Sequence, residues 1–149
     1  MIKTAAELLE ELRKLGVQTL SNPRDSKFYC PTVEWLKKFG LWFKKNIKQK
    51  WTNEKFDCDD FAIRAVDRAT DSLGAEDSIQ NCGHSFCFAE VYLATGATIL
   101  GIEGPGKHAV NLVRTTKGWY YFEPQMGTFC PVVDLIADES LAVIFWVWL

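Results

Sequence analysis

The feature that most constrains this chain is a change of hydrophobic period near residue 84. Before it, apolar residues return every three or four positions, as on one face of a helix; after it, short β-branched and aromatic segments are separated by turn residues. In MIKTAAELLEELRKLG, Leu8, Leu9, Leu12 and Leu15 make one stripe. Thr4 is placed to cap this first helix, Glu7 to complete a capping box, and Gly16 to end it. TVEWLKKFGLWFKKNI carries Trp35, Leu36, Phe39, Trp42 and Phe43 at helical spacing, so a second helix is predicted through Gly40. NEKFDCDDFAIRAVDRATDSLGA gathers Phe61, Ala62, Ala65, Val66 and Ala69 on one side of a third helix, with Cys58 at its beginning. SNPRDSKFYCP, Ser21 to Pro31, reads as a polar connector. SFCFAEVYLA, ATILGIEG, HAVNLVRTT, GWYYFEP and LAVIFWVWL read as strands. Helices first and strands second predict an α+β fold, N-terminal helices packed on a C-terminal antiparallel sheet, as one domain over 1–149.

Apolar residues make up 48% and charged residues 24% of the chain, the balance of a folded globular protein. The formal charge of -2 gives a phosphate backbone no general partner, so nucleic acid is not expected. The one basic run, Lys44, Lys45, Lys48 and Lys50, fits the solvated face of the second helix. No apolar run reaches the roughly 18 residues that span a bilayer, and Glu7, Glu10 and Glu11 interrupt any signal-peptide core. A cytoplasmic protein, or one released without a signal peptide, is the expectation. Five cysteines at 30, 58, 82, 87 and 130 follow no regular disulfide or metal-ligand spacing, which fits a reducing compartment.

The chemistry-bearing stretch is FDCDDFA. A thiol at a helix start meets free N–H groups and partial positive charge, which favour the thiolate. Asp57, Asp59 and Asp60 oppose this unless a cation neutralises them. His108, where the GIEGPGK turn feeds a strand, is placed to exchange a proton with Cys58. Glu123 follows fifteen residues later. Two antiparallel strands joined at Lys117-Gly118 would bring it beside His108, where a carboxylate fixes the ring. Strand alternation sends Asn111 to the face opposite His108. His84 is the second candidate base. A zinc set of Cys82, His84 and Cys87 is disfavoured, because 82 and 84 would share a strand face that 87 does not.

FDCDDFA, GKHAVNLV and YYFEPQMG together resemble the papain-like, calcium-dependent cysteine protease domain of the Marasmius oreades agglutinin type. More distantly, they resemble the transglutaminase-like superfamily. The resemblance spans Trp51 to Gly127. It implies Cys58 as nucleophile, His108 as base and acid, Glu123 as orienter, and Asp59 with Asp60 as calcium ligands. It also implies a cysteine peptidase acting on a protein or peptide substrate by hydrolysis of peptide or isopeptide bonds, with transfer to an amine left open. Sugar binding is not carried over. The oxyanion donor stays open among Gln49, Trp51 and Asn53. Trp51, Trp119, Tyr120 and Tyr121 would suit the rim of a peptide cleft or equally a core. The alternative is a catalytically inactive scaffold that binds a protein partner. Exposed edge strands permit a homodimer.

Overall fold

A computed structural model describes residues 1–16, 23, 25–52, 57–72, 85–93, 108–136 and 144–148. Strand β1 (Ile2–Thr4) runs straight into helix α1 (Ala5–Lys14). Thr4 caps α1 as its sequence predicts: its hydroxyl accepts from the Glu7 N–H at 3.3 Å, and Glu7 Oε2 accepts from the Thr4 N–H at 2.8 Å. After β2 (Lys27–Tyr29) comes α2 (Val33–Asn46), whose first turn is held by the Thr32 hydroxyl accepting from the Trp35 N–H at 3.0 Å. Helix α3 (Cys58–Ser72) follows. The remaining elements are β3 (Ser85–Phe86), β4 (Phe88–Leu93), β5 (His108–Thr115), β6 (Gly118–Glu123), β7 (Thr128–Pro131), α4 (Val132–Ile136) and β8 (Ile144–Trp148).

The strands form two sheets. Five of them lie in the order β7-β6-β5-β4-β8, every neighbouring pair antiparallel. The other three lie in the order β1-β2-β3, with β2 and β3 parallel. The α+β class therefore holds, with two corrections. The connector expected at 21–31 contains β2, and the segment expected as one strand at SFCFAEVYLA breaks at Cys87 into β3 and β4, which belong to different sheets. The strand expected at ATILGIEG lies outside the described residues.

The five-stranded sheet is covered on both faces, which is why β5 is buried along almost its whole length. Val110, Leu112 and Tyr121 point to one face, where they join Leu8 and Leu12 of α1, Phe28 and Val91. Val113 and Phe122 point to the other, against Leu36, Phe39 and Phe43 of α2 and Phe61 and Ala65 of α3. The period-two alternation of the strands thus sorts one sequence into two cores. One contact sets how closely α2 approaches the strand ends. A Cβ on Gly40 would stand 2.5 Å from the Gly127 carbonyl oxygen, so only glycine lets the helix rest on that backbone. Gly127 itself has φ +67°, in the left-handed region.

Candidate functional site

Three elements converge at one end of the five-stranded sheet: the start of α3, the start of β5 and the end of β6. The helix start is built from its own backbone. The Asp57 carbonyl accepts from the Phe61 N–H at 3.1 Å, and the Asp57 N–H donates to Asp60 Oδ2 at 3.3 Å. Cys58 is the first helical residue, a half-buried free thiol. Asn111 anchors the helix to the sheet, its amide donating to the Ala62 carbonyl at 2.9 Å and to the Ala89 carbonyl at 3.3 Å. It serves α3 as a brace and leaves His108 to another partner.

That partner is Glu123. The β5–β6 hairpin turns at Lys117-Gly118, with Thr115 paired to Gly118 and Asn111 to Phe122. The Thr115 hydroxyl accepts from the Lys117 N–H at 3.1 Å and donates to the Gly118 carbonyl at 3.0 Å, locking the turn. Carried down the hairpin, this register brings His108 Nε2 to 2.5 Å from Glu123 Oε2. Glu123 is wholly buried, and its other oxygen accepts from the Gln125 N–H at 2.9 Å. Cys58 is the other group that acts on the His108 ring. Burial alone would lower the imidazole pKa. The hydrogen bonds to Cys58 and Glu123, with the charge on both groups, outweigh it and raise the pKa to about 9. The structure therefore brings Cys58, His108 and Glu123 together in one row, with the His108–Glu123 hydrogen bond at its inner end.

The acids beside the thiol are crowded. Ligand atoms of Asp57, Cys58 and Asp59 all lie within 4.8 Å of one another. The Asp59 pKa is raised, first by its hydrogen bond with Asp57, then by burial and by the negative charge of Asp57 and Asp60. Asp57 Oδ1 is buried with no hydrogen-bond partner. Asp57, missing from the sequence-based ligand set, is the residue immediately before α3 and was legible as the third aspartate around the thiol. Next to this row, a cavity of about 290 Å³ is lined by Phe43, Gln49, Trp51, Phe61, Pro124 and Gln125 among others. Gln49 and Trp51 of the three oxyanion candidates lie on it, and Asn53 is outside the described residues. Of the four expected rim aromatics, Trp51 is exposed and Tyr120 half-buried, whereas Trp119 and Tyr121 belong to the core. His84 and Cys82 also fall outside the described residues. Cys87 is buried in the first core cluster.

No family model and no curated protein matches this chain. Solved structures do share its fold. A PSL1a–E64 complex superposes with a TM-score of 0.71 at 20% identity, over 99% of this chain and 50% of that one. The Polyporus squamosus lectin, bound to the human-type influenza-binding epitope Neu5Acα2-6Galβ1-4GlcNAc, does so with a TM-score of 0.70 at 18% identity, over 99% and 49%. The chain spans about half the length of these proteins. They correct the sequence-based identification. The relatives that share the fold are named as a lectin, and no match supports a papain-like cysteine peptidase. The peptidase and acyl-hydrolase reading, with its protein or peptide substrate, is withdrawn.

Proposed function

We propose that this chain is the thiol-bearing part of a glycan-binding protein, and that its own contribution is covalent capture of electrophilic ligands at Cys58. The observation that carries this reading is the 2.5 Å contact of His108 with buried Glu123, on a ring whose proton affinity Cys58 also raises. A buried carboxylate on one side of an imidazole favours a proton on the ring, and the thiol on the other side is its source. With Nε2 committed to Glu123, Nδ1 is the nitrogen left for Cys58. The thiolate attacks an electrophilic carbon, a sulfur–carbon bond forms, and the departing or ring-opened atom takes the bonding pair and a proton from His108 or water. Peptide-bond hydrolysis is no part of this proposal.

Calcium belongs to the same reading. Asp57 and Asp59 offer clustered carboxylate oxygens and Asp60 adjoins them, while the unpartnered Asp57 oxygen and the raised Asp59 pKa both fit a missing positive charge. The cation would supply that charge at the start of α3, completing its shell with backbone oxygens and water.

The ligands named with the neighbours become probes for this chain. Labelling with iodoacetamide and with E64, followed across pH by peptide mass mapping, is expected to be fastest at Cys58. His108→Ala should slow it by about a hundredfold or more, the order expected for loss of a positioned base. Equal rates in native and variant proteins, both folded, would refute the activated thiol. For the glycan part, calorimetric titration with Neu5Acα2-6Galβ1-4GlcNAc is expected to show binding by the whole protein that survives Cys58→Ser. An absence of heat with full-length protein would refute it.

A further inference from the structure

Cys30 and Cys87 are fully buried in the same core cluster, far apart in sequence and adjacent in space. Their proximity follows from the parallel pairing of β2 and β3. Phe28 lies opposite Ser85 and Tyr29 opposite Phe86, so the next step of that register sets Cys30 opposite Cys87. A backbone bond marks the step: the Cys87 N–H donates to the Tyr29 carbonyl at 2.8 Å. Neighbouring strands stand about 4.8 Å apart, inside the Cα separation that a disulfide spans. The two thiols are close enough to shift each other's titration, Cys30 down and Cys87 up. Two sulfurs are too few for a structural zinc site, which takes four ligands.

We infer that Cys30 and Cys87 are a latent disulfide that staples the three-stranded sheet to the five-stranded one. Cys87 is the residue between β3 and β4, where the chain passes from the first sheet to the second. A bond from there to Cys30 closes a long loop and ties the N-terminal strands to the central sheet. The oxidant is a small-molecule disulfide such as oxidised glutathione. Cys30 is the first attacker, because its thiol pKa is lowered, chiefly by the hydrogen bond from Cys87 and also by the Arg114 charge, while burial pushes Cys87 up. The Cys30 thiolate displaces one glutathione thiolate to give a mixed disulfide. Cys87, deprotonated, then displaces the second. Two protein thiols and one oxidised glutathione become one protein disulfide and two reduced glutathiones. Because neither sulfur meets solvent, the exchange proceeds during folding or on opening of the small sheet, and is slow in the closed protein.

The test uses the full chain with Cys58→Ser, so that this half-buried thiol does not compete. The protein is refolded in a glutathione redox buffer, remaining thiols are alkylated, and unreduced peptides are mapped by mass. A peptide pair joined through Cys30 and Cys87 is expected, with melting raised by roughly 8–15 °C over the reduced protein. Cys87→Ala and Cys30→Ser should each lose the link and that rise. Comparison of reduced with oxidised protein needs neither variant to fold well. Free Cys30 and Cys87 after refolding, a link through Cys82 or Cys130 instead, or a joined pair with unchanged or lowered melting would each overturn the inference.

Discussion

The two faces of the five-stranded sheet are built from different materials. On the α2 and α3 side the core is a mesh of rings. Phe39 stacks on Trp35 at 4.9 Å between centroids and meets Phe88 and Phe122 at 5.5 Å each. On the α1 side the core is mostly aliphatic, and its margin is closed by charge. Glu11 accepts from Arg114 Nε at 2.6 Å, from Trp119 Nε1 at 2.9 Å and pairs with Lys3 at 2.7 Å. A ring mesh resists deletion of any one member poorly, because each ring fills space that no neighbour can reach. A charged margin responds instead to pH. The row of Cys58, His108 and Glu123 sits at the sheet end between the two regimes.

The sharpest way to break this contrast is to remove one ring. Phe39→Ala is expected to cost about 3–5 kcal/mol, read as a shift of the urea midpoint at unchanged slope. Gly40→Ala comes next, at about 2–3 kcal/mol, since its methyl meets a backbone carbonyl that cannot swing away. A smaller loss than Leu41→Ala, an exposed neighbour on the same helix, would show that α2 does not press on the Gly127 turn.

On the other face, Glu11→Gln should cost about 1–2 kcal/mol at neutral pH and abolish a pH dependence. Burial raises the Glu11 pKa, but hydrogen bonds from Arg114 and Lys3 outweigh it and hold the carboxyl at about 2, against an ordinary 4.5. The folded value is the lower one. Its stabilisation is therefore complete above 4.5 and is lost as pH falls toward 2. Acid titration that removes equal stability from native and Glu11→Gln proteins in that window would refute the assignment.

The smallest effect belongs to the shared end. The folded His108 value, about 9, lies above the ordinary 6.5, so its stabilisation is complete below 6.5 and fades as pH rises through 9. Glu123→Gln should move the His108 titration, followed by ring proton resonances, back toward 6.5. An unmoved titration would mean that Glu123 does not hold the proton on the ring.

How much of this the sequence disclosed depended on the range of each interaction. The caps at Thr4 and Thr32, the stripes of α1 and α2, and the β5–β6 hairpin are decided by residues a few positions apart, and local pattern suffices for them. The proximity of His108 and Glu123 was readable because one hairpin joins them. Strand β2 was not, since three residues beside prolines carry too little period to separate strand from connector, and its partners lie at both ends of a long sequence separation. The Cys30–Cys87 pairing was hidden for the same reason. Strand β7 and helix α4 are likewise too short for a pattern. The peptidase reading had a different failing: it carried a function over from three short motifs, whereas the solved structures with this fold bear a lectin's name.

The locked turn at Thr115-Gly118 also acts as a ruler. It counts residues along both arms of the hairpin, and the count sets His108 and Glu123 on the same face as diagonal neighbours, Glu123 one step beyond the Asn111–Phe122 pair. Inserting a single residue into either arm, far from the thiol and invisible to any comparison of side chains at the site, would turn one of the pair to the opposite face. A change of length in either arm would therefore part His108 from Glu123. Among related chains, a retained Cys58 beside a hairpin of altered arm length would mark a thiol that has lost the His108–Glu123 contact while its residues remain.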